Sequence, residues 1–313
     1  METEPKVCVV LPIYREPVSL IKRAADSILA QTYENYRVQL VLDDPQNEEA
    51  KSFLSEYCNQ HEQFELHINP ENLGLASSLN RAMSSIKQGL ICRMDADDVS
   101  LPNRIERQVN YLLDHNLDLV GSYMNVLDED GTFLYKVDSL PTSPAAISKA
   151  LGYNNCVMHP TWLGKASIFQ QGYRHMPLSE DYDFLLRAVA SGAAIGNCPE
   201  ILLNYTLSAN SISRTNLYRQ FLFQKVLTSR YQMNKKVSVE EAESIVDSEW
   251  TVEKESRYSN AYAVVNSFLG NKELCSRLLQ IPALGSSLLK SPAYIRKLYR
   301  LAATQTISRM DPH

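Results

Sequence analysis

Apolar and polar residues alternate along the first hundred residues in a pattern typical of strands and helices that follow one another. Four short apolar runs, rich in β-branched residues, predict buried strands at residues 7–14, 38–42, 64–68 and 90–94. Segments with helical periodicity lie between them. Such strand–helix alternation indicates an α/β fold with a mostly parallel, doubly wound sheet and helices on both faces.

The pattern changes after residue 102. A helix is predicted at 104–115, a hairpin at 117–137, a short strand within 155–160, a helix from Ser179 to 194, and strands at 195–197 and 201–207. From residue 214 the periodicity is helical at 216–231, 239–250 and 253–268, and shorter helices follow. We therefore expect an α/β domain at 1–213 and a helical C-terminal appendage at 214–313.

Polar residues follow each of the first four predicted strands. In parallel sheets, ligands bind at the carboxyl ends of the strands, so these residues are candidates for one site. A standard dinucleotide site is not expected, because no G-x-G-x-x-G follows the first strand. The candidates by position are Pro12, Tyr14 and Glu16; Asp43 and Asp44; Gly74; and Asp95, Asp97 and Asp98.

The acidic turn after the fourth strand is the most distinctive of these segments. Asp95, Asp97 and Asp98 place three carboxylates within four residues, and like charges at that spacing repel one another. A divalent cation relieves the repulsion, and oxygen ligands suit Mg²⁺, Mn²⁺ or Ca²⁺. The alternative is a solvated acidic turn, which is common for any Asp-x-Asp.

A second acidic cluster, Glu180, Asp181 and Asp183, follows Ser179 at a predicted helix start. Acids there are commonly simple caps, with Ser179 as the N-cap residue. Because helix-end amides stabilise negative charge, we expect a lowered pKa at Asp181.

Charge and cysteine content limit the classes of partner. The net charge of the 313 residues is −5, so we expect no general nucleic-acid binding. Six cysteines without a C-x-x-C pair, the absence of a signal-peptide pattern and the lack of an apolar run of about 18 residues predict a cytoplasmic protein.

The last 44 residues differ in charge from the rest of the chain. Residues 270–313 contain seven basic and two acidic residues among many apolar ones. Basic amphipathic segments lie on anionic membranes, so we expect this tail to bind the inner membrane surface peripherally. The alternative is packing against the enzyme's own core or against the second subunit of a homodimer.

Six segments, taken together, resemble glycosyltransferase family 2, whose members are inverting enzymes with the GT-A fold. They occur in the family's order and cover about residues 6–213, whereas the tail lies outside the resemblance. The segments are residues 9–16, 41–48, 69–83, 93–108 (RMDADDVSLPNRIERQ), 159–165 (HPTWLGK) and 179–187 (SEDYDFLLR).

The resemblance implies a role for each matching residue. It places His159, Trp162 and Glu180 on the acceptor side and makes Asp181 the catalytic base. Of the D-x-D pair, Asp97 is implied as the direct ligand of Mn²⁺ or Mg²⁺, with Asp95 beside it. The residues implied in nucleotide-sugar binding are Pro12, Tyr14, Glu16, Asp43, Asp44, Gly74, Arg81, Asp95 and Asp97.

The chain departs from the family pattern at two places. Pro45-Gln46 stand where the family often has Gly-Ser, and Tyr205-Thr206 stand where it often has Tyr-Arg. The family's diphosphate-binding arginine is therefore missing, and Arg214 is a candidate substitute. The Q-x-x-R-W motif of processive synthases is absent too, which favours addition of a single sugar.

The implied function is metal-dependent transfer of a sugar from a nucleotide-sugar donor, a UDP-sugar, to a hydroxyl of a saccharide or lipid-linked acceptor. The implied context is synthesis of bacterial O-antigen, capsule or exopolysaccharide. One alternative is a sugar nucleotidyltransferase, but the glycine-rich loop expected after its first strand is absent from residues 9–17. The other is a nucleotide-sugar-binding protein without catalysis, which the full set of acids disfavours.

Overall fold

In the computed structural model, one mixed sheet forms the centre of the molecule. The structure describes residues 4–208, 216–270 and 274–311. Within them the strand order is β3-β2-β1-β4-β8-β6-β9-β5, with β7 paired to β6. The strands are β1 (Val7–Ile13), β2 (Tyr36–Leu42), β3 (Phe64–Ile68), β4 (Leu90–Arg93), β5 (Val99–Ser100), β6 (Leu119–Leu127), β7 (Phe133–Val137), β8 (Leu163–Lys165) and β9 (Ile195–Thr206).

Helices cover the sheet and continue beyond it. A 3₁₀ turn, His159–Thr161, precedes β8. The helices are α1 (Val18–Leu29), α2 (Glu48–Gln60), α3 (Leu75–Ser84), α4 (Arg104–Asp114), α5 (Pro144–Leu151), α6 (Ala166–Phe169), α7 (Glu180–Ala190), α8 (Leu217–Gln232), α9 (Val239–Glu249), α10 (Val252–Gly270), α11 (Leu274–Lys290) and α12 (Pro292–Met310).

The first four strands are parallel, and their register brings their carboxyl ends to one edge. Ile13 pairs with Leu42, and Leu42 pairs with Ile68. On the other side of β1, Val10 pairs with Arg93, the last residue of β4. All seven residues of β1 are buried, as a continuous apolar run predicts for a central parallel strand. The expected α/β sheet with its polar edge is thus confirmed.

Several boundaries differ from the sequence expectation. Helix α7 ends at Ala190 rather than at 194, because Gly192 adopts a positive φ of 90° that turns the chain away. The two strands expected near 195–207 form one strand, β9. The shorter helices expected near the C-terminus are the long helices α11 and α12.

One helix and the two short strands β5 and β8 were not predicted, and one predicted strand is absent. Helix α5 was missed, although two residues mark its start. The Ser143 side chain caps it by accepting a hydrogen bond from Ala146 N, and Pro144 occupies its first turn. The strand expected within 155–160 is absent: the 3₁₀ turn occupies its end, and Val157 N donates to the side chain of Asn155 instead of to a neighbouring strand. A hydrogen bond between a side chain and the main chain stands there in place of main-chain hydrogen bonds between strands.

The C-terminal helices share a hydrophobic core with the sheet. Tyr294 and Ile307 of α12 belong to the same buried cluster as Trp162. The ring of Tyr258 on α10 lies 5.1 Å from that of Tyr294 and 5.5 Å from that of Phe221 on α8. Within the described ranges, no helix is both long and apolar enough to cross a membrane.

Some residues used in the sequence analysis lie outside the described part of the chain. Arg214, the candidate diphosphate ligand, is one of them, and Lys272 and Glu273 of the basic tail are two more. The side chains of Cys275 and Arg277 are likewise outside it.

Asp311 fastens the end of α12 to the start of α5. Its Oδ2 accepts hydrogen bonds from Thr142 N (2.6 Å), Thr142 Oγ1 (3.0 Å) and Ser143 N (2.9 Å), and its Oδ1 accepts one from Ser143 Oγ. Ser143 is also the N-cap of α5, so one carboxylate joins the end of α12 to the start of α5. Thr142 and Asp311 are 169 residues apart in the sequence. A carboxylate near a helix N-terminus is stabilising for the same reason that an acidic cap is.

We expect Asp311→Ala to lower the free energy of unfolding by about 1–3 kcal/mol, because the buried donors of Thr142 and Ser143 would lose a charged acceptor. Chemical denaturation beside wild type measures the loss. Asp114→Ala is the matched control, since Asp114 is exposed at the end of α4. Equal losses in both variants would contradict the assignment.

The same contact predicts a pH dependence. Burial works to raise the pKa of Asp311, but hydrogen bonds from Ser143 and Thr142 outweigh it and hold the pKa below the ordinary 3.8. A group with a depressed folded pKa stabilises the protein above its unfolded pKa. The stability difference between wild type and Asp311→Ala should therefore be full above pH 3.8 and shrink as the pH falls below it.

Candidate active site

The acidic turn after β4 is held in place by two neighbouring elements. Arg23 of α1 donates to the carbonyl oxygen of Asp97 (2.9 Å), and Thr206 Oγ1 of β9 donates to the same oxygen (2.6 Å). Thr206 N donates to Asp98 Oδ1 (2.9 Å), and Asp98 is fully buried. Thr206, which replaces the arginine common in the family, therefore anchors the turn.

Arg93 lies at the centre of the acidic residues. Its side chain is 2% exposed and makes two hydrogen bonds to the Asp95 carboxylate, one of them 2.8 Å long. Burial works to lower the pKa of Arg93, but the charge of Asp95 and other nearby groups raises it overall. The guanidinium therefore stays charged and neutralises part of the cluster.

Asp97 is a carboxylate of the turn whose negative charge is disfavoured by its surroundings. Burial first, and then the charges of Asp95 and Glu16, raise the pKa of Asp97 to about 7. Burial likewise raises the pKa of Glu16, although the hydrogen bond from Tyr14 N to Glu16 Oε2 (2.7 Å) opposes it. These carboxylates destabilise one another's charge, which is the condition that a bound cation relieves.

The donor set fits a divalent cation that takes most of its ligands from outside the protein. Among the described residues, no three His, Cys, Asp or Glu side chains converge on one point. Asp97, with Asp95 beside it, would supply the protein ligands, and hard oxygens such as phosphate oxygens would supply the rest.

Asp43 organises the loop that follows β3. Its Oδ1 accepts from Asn69 Nδ2 (2.6 Å) and Leu73 N (2.9 Å), and its Oδ2 accepts from Gly74 N (2.8 Å). Gly74 has φ 78° and ψ 162°, a conformation nearly restricted to glycine. Arg81 Nη1 joins the network by donating to Asn69 Oδ1 (2.8 Å). Asp43, Gly74 and Arg81 are thus brought together.

Asp44 occupies the rim of the same edge. Its Oδ2 lies 3.6 Å from Arg15 Nε, and the Arg15 guanidinium stacks over the Tyr14 ring at 4.7 Å. The Asp44 side chain is 21% exposed, whereas Asp43 is 5% exposed and already bonded to three donors. Pro12 is buried inside β1, where it pairs with Val41. Of the two aspartates, Asp44 is the one accessible from solvent.

The start of α7 presents a second pair of acids. Asp181 Oδ2 accepts from Asn155 Nδ2 (2.7 Å), and Oδ1 accepts from Tyr182 N (2.7 Å). Burial raises the pKa of Asp181, against the lowering effect of these bonds and of Arg93. Burial, followed by the charge of Asp181, raises the pKa of Glu180 to about 7.

Two expectations for this helix start were wrong. The pKa of Asp181 is raised rather than lowered, because burial outweighs the amide at the helix end. Ser179 occupies the N-cap position but makes no side-chain capping bond, and its buried Oγ has no hydrogen-bond partner.

Asp183 belongs to the scaffold rather than to the reacting groups. It is 1% exposed and is paired with Nε of Arg187 (2.9 Å) and with Nε and Nη2 of Arg174. Two arginines therefore use both of its oxygens. Of the three acids at this helix start, Glu180 and Asp181 remain as candidate bases.

The histidine expected near the acceptor is buried in an aromatic cluster. His159 is 8% exposed, and its Nε2 lies 2.9 Å from the Tyr173 hydroxyl. Burial, helped by the charge of Arg93, holds the pKa of His159 well below its ordinary value, so the ring is neutral. Trp162 has no exposed surface and donates to Val157 O (3.0 Å). The structure thus places Trp162 in the core beneath His159 and not in contact with solvent.

Four residues that shape this site were not singled out by the sequence analysis. Two of them, Asn69 and Arg93, lie inside the segments that carry the family resemblance, where no role was assigned to them. The other two, Arg23 and Asn155, are distant in sequence from the acids that they hold, so no local pattern marks them.

Comparison with known proteins agrees with this geometry. A family model described as Glycosyl transferase family 2 matches residues 8–171. The chain is 30% identical over 236 residues to the O-antigen biosynthesis glycosyltransferase WbnJ of Escherichia coli, covering 71% of this chain and 91% of that one. It is 27% identical over 212 residues to the amylovoran biosynthesis glycosyltransferase AmsE of Erwinia amylovora, covering 66% and 78%.

Solved structures share the fold. The S. aureus TarS 1-349 complex with UDP-GlcNAc aligns with a TM-score of 0.58 at 16% identity, over 97% of this chain and 89% of that one. The mannosyltransferase PcManGT from Pyrobaculum calidifontis, in complex with GDP-Man and Mn²⁺, gives the same TM-score and identity over 96% and 86%. The fold and the acidic edge of the sheet define a GT-A glycosyltransferase, and the chain belongs to glycosyltransferase family 2.

We expect Asp183→Asn to destabilise the protein by on the order of 3 kcal/mol, because Arg174 and Arg187 would lose the charge that pairs them. Thermal and chemical unfolding measure this loss. Asp181→Asn, two residues earlier on the same helix, is the matched control and should unfold close to wild type. If Asp183→Asn unfolds like that control, the structural role of Asp183 is wrong.

Proposed function

We propose that the protein transfers a single sugar, with inversion, from a UDP-sugar to a hydroxyl of a saccharide or lipid-linked acceptor. The observation that carries this proposal is the meeting of two acidic clusters around Arg93. Arg93 bonds to Asp95 on the strand side, and its charge acts on Asp97 and on Glu180 and Asp181 of the helix side, where it opposes the stronger effect of burial, which raises the pKa of all three. Transfer needs a place for the donor phosphates and a base, and the two clusters provide one each.

The proposed base is Asp181. An acceptor hydroxyl must lose a proton as its oxygen attacks the anomeric carbon, and a carboxylate held on the opposite side from the leaving diphosphate can take it. Asn155 and Tyr182 N fix the orientation of the Asp181 carboxylate, while its neighbour Glu180 stays free to orient the acceptor. In-line attack of this kind inverts the anomeric centre.

The proposed donor side is the edge formed by Asp43, Asp44, Gly74, Asp95 and Asp97. Asp44 would accept a hydrogen bond from the nucleobase, and the Gly74 loop would lie along the nucleotide. Mn²⁺ or Mg²⁺ bound at Asp97 would neutralise charge on the leaving diphosphate. Both named structural neighbours were crystallised with nucleotide sugars, one of them with Mn²⁺, which supports this proposal.

The names of the relatives support a context in surface-polysaccharide synthesis. WbnJ is named for O-antigen biosynthesis and AmsE for amylovoran biosynthesis, in Escherichia coli and Erwinia amylovora. We propose the same context here, with O-antigen, capsule or exopolysaccharide as the product.

We expect Asp181→Asn to lower kcat by about 10²–10⁴-fold, the usual contribution of a general base. The dissociation constant of the donor should stay unchanged, because this residue lies on the helix side of the site. Transfer kinetics beside calorimetric donor binding measure the two effects. If Asp181→Asn transfers sugar at nearly the wild-type rate and Glu180→Gln is inactive, the base is Glu180 and not Asp181.

The same base predicts the acid limb of the pH–rate profile. Burial raises the pKa of Asp181, so the carboxylate takes up its proton at a higher pH than an ordinary aspartate does. The rate of transfer should therefore fall, as the pH is lowered, well before the ordinary pKa of 3.8 is reached. A rate that stays constant down to that value would contradict a buried base.

We expect a chelator to abolish transfer and Asp97→Ala to reduce it by on the order of 10²-fold or more, because the diphosphate would lose its cation. Added Mn²⁺ should tighten UDP binding to wild type but not to Asp97→Ala, and calorimetry measures this without turnover. Full activity in excess chelator would overturn metal dependence.

The same transfer assay with UDP-, GDP- and dTDP-sugars tests which nucleotide the donor carries. Turnover of GDP-sugars alone would contradict the proposed UDP-sugar donor.

A further inference from the structure

A second group of cations lies outside the candidate active site, around a cavity formed by α8, α9, α10, the end of α11 and α12. The cavity has a volume of about 280 Å³, and its floor includes the buried rings of Tyr218 and Phe221. Five cationic side chains and one acidic side chain line it: Lys225, Lys254, Arg257, Lys290, Arg296 and Glu249.

Three of the cations are already engaged. Lys225 pairs with Glu249 at 2.8 Å, and Lys254 Nζ donates to the Glu249 carbonyl oxygen at 2.7 Å. Arg257 pairs with Glu253, one turn away on α10. For Lys290 and Arg296, no acidic partner lies within the described ranges, and both side chains are exposed. The cavity thus has an excess of positive charge at its α12 side.

Exposed apolar side chains stand next to these free cations. Leu289, which precedes Lys290, is 80% exposed. Ile295 and Tyr299, which are one helical turn apart on α12 and flank Arg296 in sequence, are 45% and 66% exposed. Large apolar groups at such exposure are unfavourable in water unless another surface covers them.

The segment that carries Lys290 and Arg296 is poor in acids. From residue 280 to 311 the sequence contains one acid, Asp311, and its carboxylate accepts hydrogen bonds from Thr142 and Ser143. Arg300 of the same segment donates to Tyr153 O and Thr228 Oγ1. Glu249, the acid that lines the cavity with Lys290 and Arg296, is paired with Lys225.

We propose that this surface binds anionic phospholipid headgroups at a bilayer, with a lipid phosphate at the cavity between Lys290 and Arg296. Leu289, Ile295 and Tyr299 would enter the interfacial layer of the same leaflet. Cations interleaved with exposed apolar groups match an anionic membrane surface in both charge and polarity. A second copy of the chain matches it less well, since a two-fold contact would bring like charges together.

This inference stands independently of the proposed glycosyl transfer, because binding to a bilayer requires neither donor nor base. It also refines the expectation for the basic tail. Tyr294 and Ile307 pack into the core, so part of the tail follows the alternative of packing against the enzyme itself. In the part of the tail whose side chains the structure describes, residues 280–311, the outward face of α12 and the exposed side chains of α11 are left for a membrane.

The test is cosedimentation of the full chain with vesicles of phosphatidylcholine, with and without phosphatidylglycerol. Wild type should bind the anionic vesicles only. The double substitution Lys290→Glu and Arg296→Glu should weaken that binding by on the order of tenfold or more. The double substitution Leu289→Ser and Ile295→Ser should weaken it as well, because the apolar contribution is lost.

The matched control is Lys235→Glu with Lys236→Glu, which reverses two exposed lysines on a different surface. Binding of the control should stay within about twofold of wild type. Equal weakening in the control would mean general electrostatic attraction and would overturn the site. If neither double substitution weakens vesicle binding, the membrane site is wrong. The membrane site is also wrong if ultracentrifugation shows a dimer of the wild type that the double substitutions convert to monomer.

Soluble glycerol phosphate is a further probe, which distinguishes a free phosphate ligand from a bilayer. If it binds wild type as tightly as the vesicles do, and Leu289→Ser with Ile295→Ser leaves vesicle binding unchanged, the ligand is a soluble phosphate and the bilayer assignment is wrong. All four altered side chains are exposed or half-exposed, so melting temperatures near that of wild type should show that the variants fold. Removing the whole tail would also remove Tyr294 and Asp311, which makes truncation the weaker test.

Discussion

One buried arginine makes the acidic site of this enzyme compatible with a folded core. Arg93 ends β4, is almost fully buried, and pairs with Asp95 through two hydrogen bonds. Carboxylates of the turn after β4 and of the start of α7 lie near it, and a protein interior cannot hold such a set without a compensating charge. Arg104, itself buried, donates to the carbonyl oxygens of Arg93 and Pro160 and so fixes where that charge lies.

The remaining negative charge at the strand edge is the part of the cluster that we propose to act on the donor. Arg93 compensates Asp95 directly, whereas Asp97 keeps a raised pKa because burial and neighbouring carboxylates act on it together. Carboxylates in this condition would be stabilised by a cation that arrives with its own phosphate ligands. The proposed site thus combines a buried internal counter-charge with a cation brought by the donor.

The C-terminal helices contact the segments that hold the proposed base, although no candidate catalytic residue lies in their described part. Arg300 of α12 donates to Tyr153 O, two residues before the Asn155 that holds Asp181. The Tyr182 hydroxyl, next to Asp181, contacts Thr228 of α8 at 2.9 Å. Helices that a sequence comparison leaves outside the family therefore support the loop and the helix that position the proposed base.

The sequence by itself determined the parallel sheet, its polar edge and the family, because apolar periodicity and local motifs are properties of short segments. It named Asp97 and Asp181 for the same reason. Only the tertiary structure decided which acids have a structural role. Asp183 pairs with Arg174 of a preceding loop and with Arg187 one helical turn further along α7. Asp43 accepts hydrogen bonds from a loop about 30 residues away in the sequence. The tertiary structure also decided that burial, rather than the helix end, controls the pKa of Asp181. Burial depends on what packs above a residue, and no local pattern encodes that.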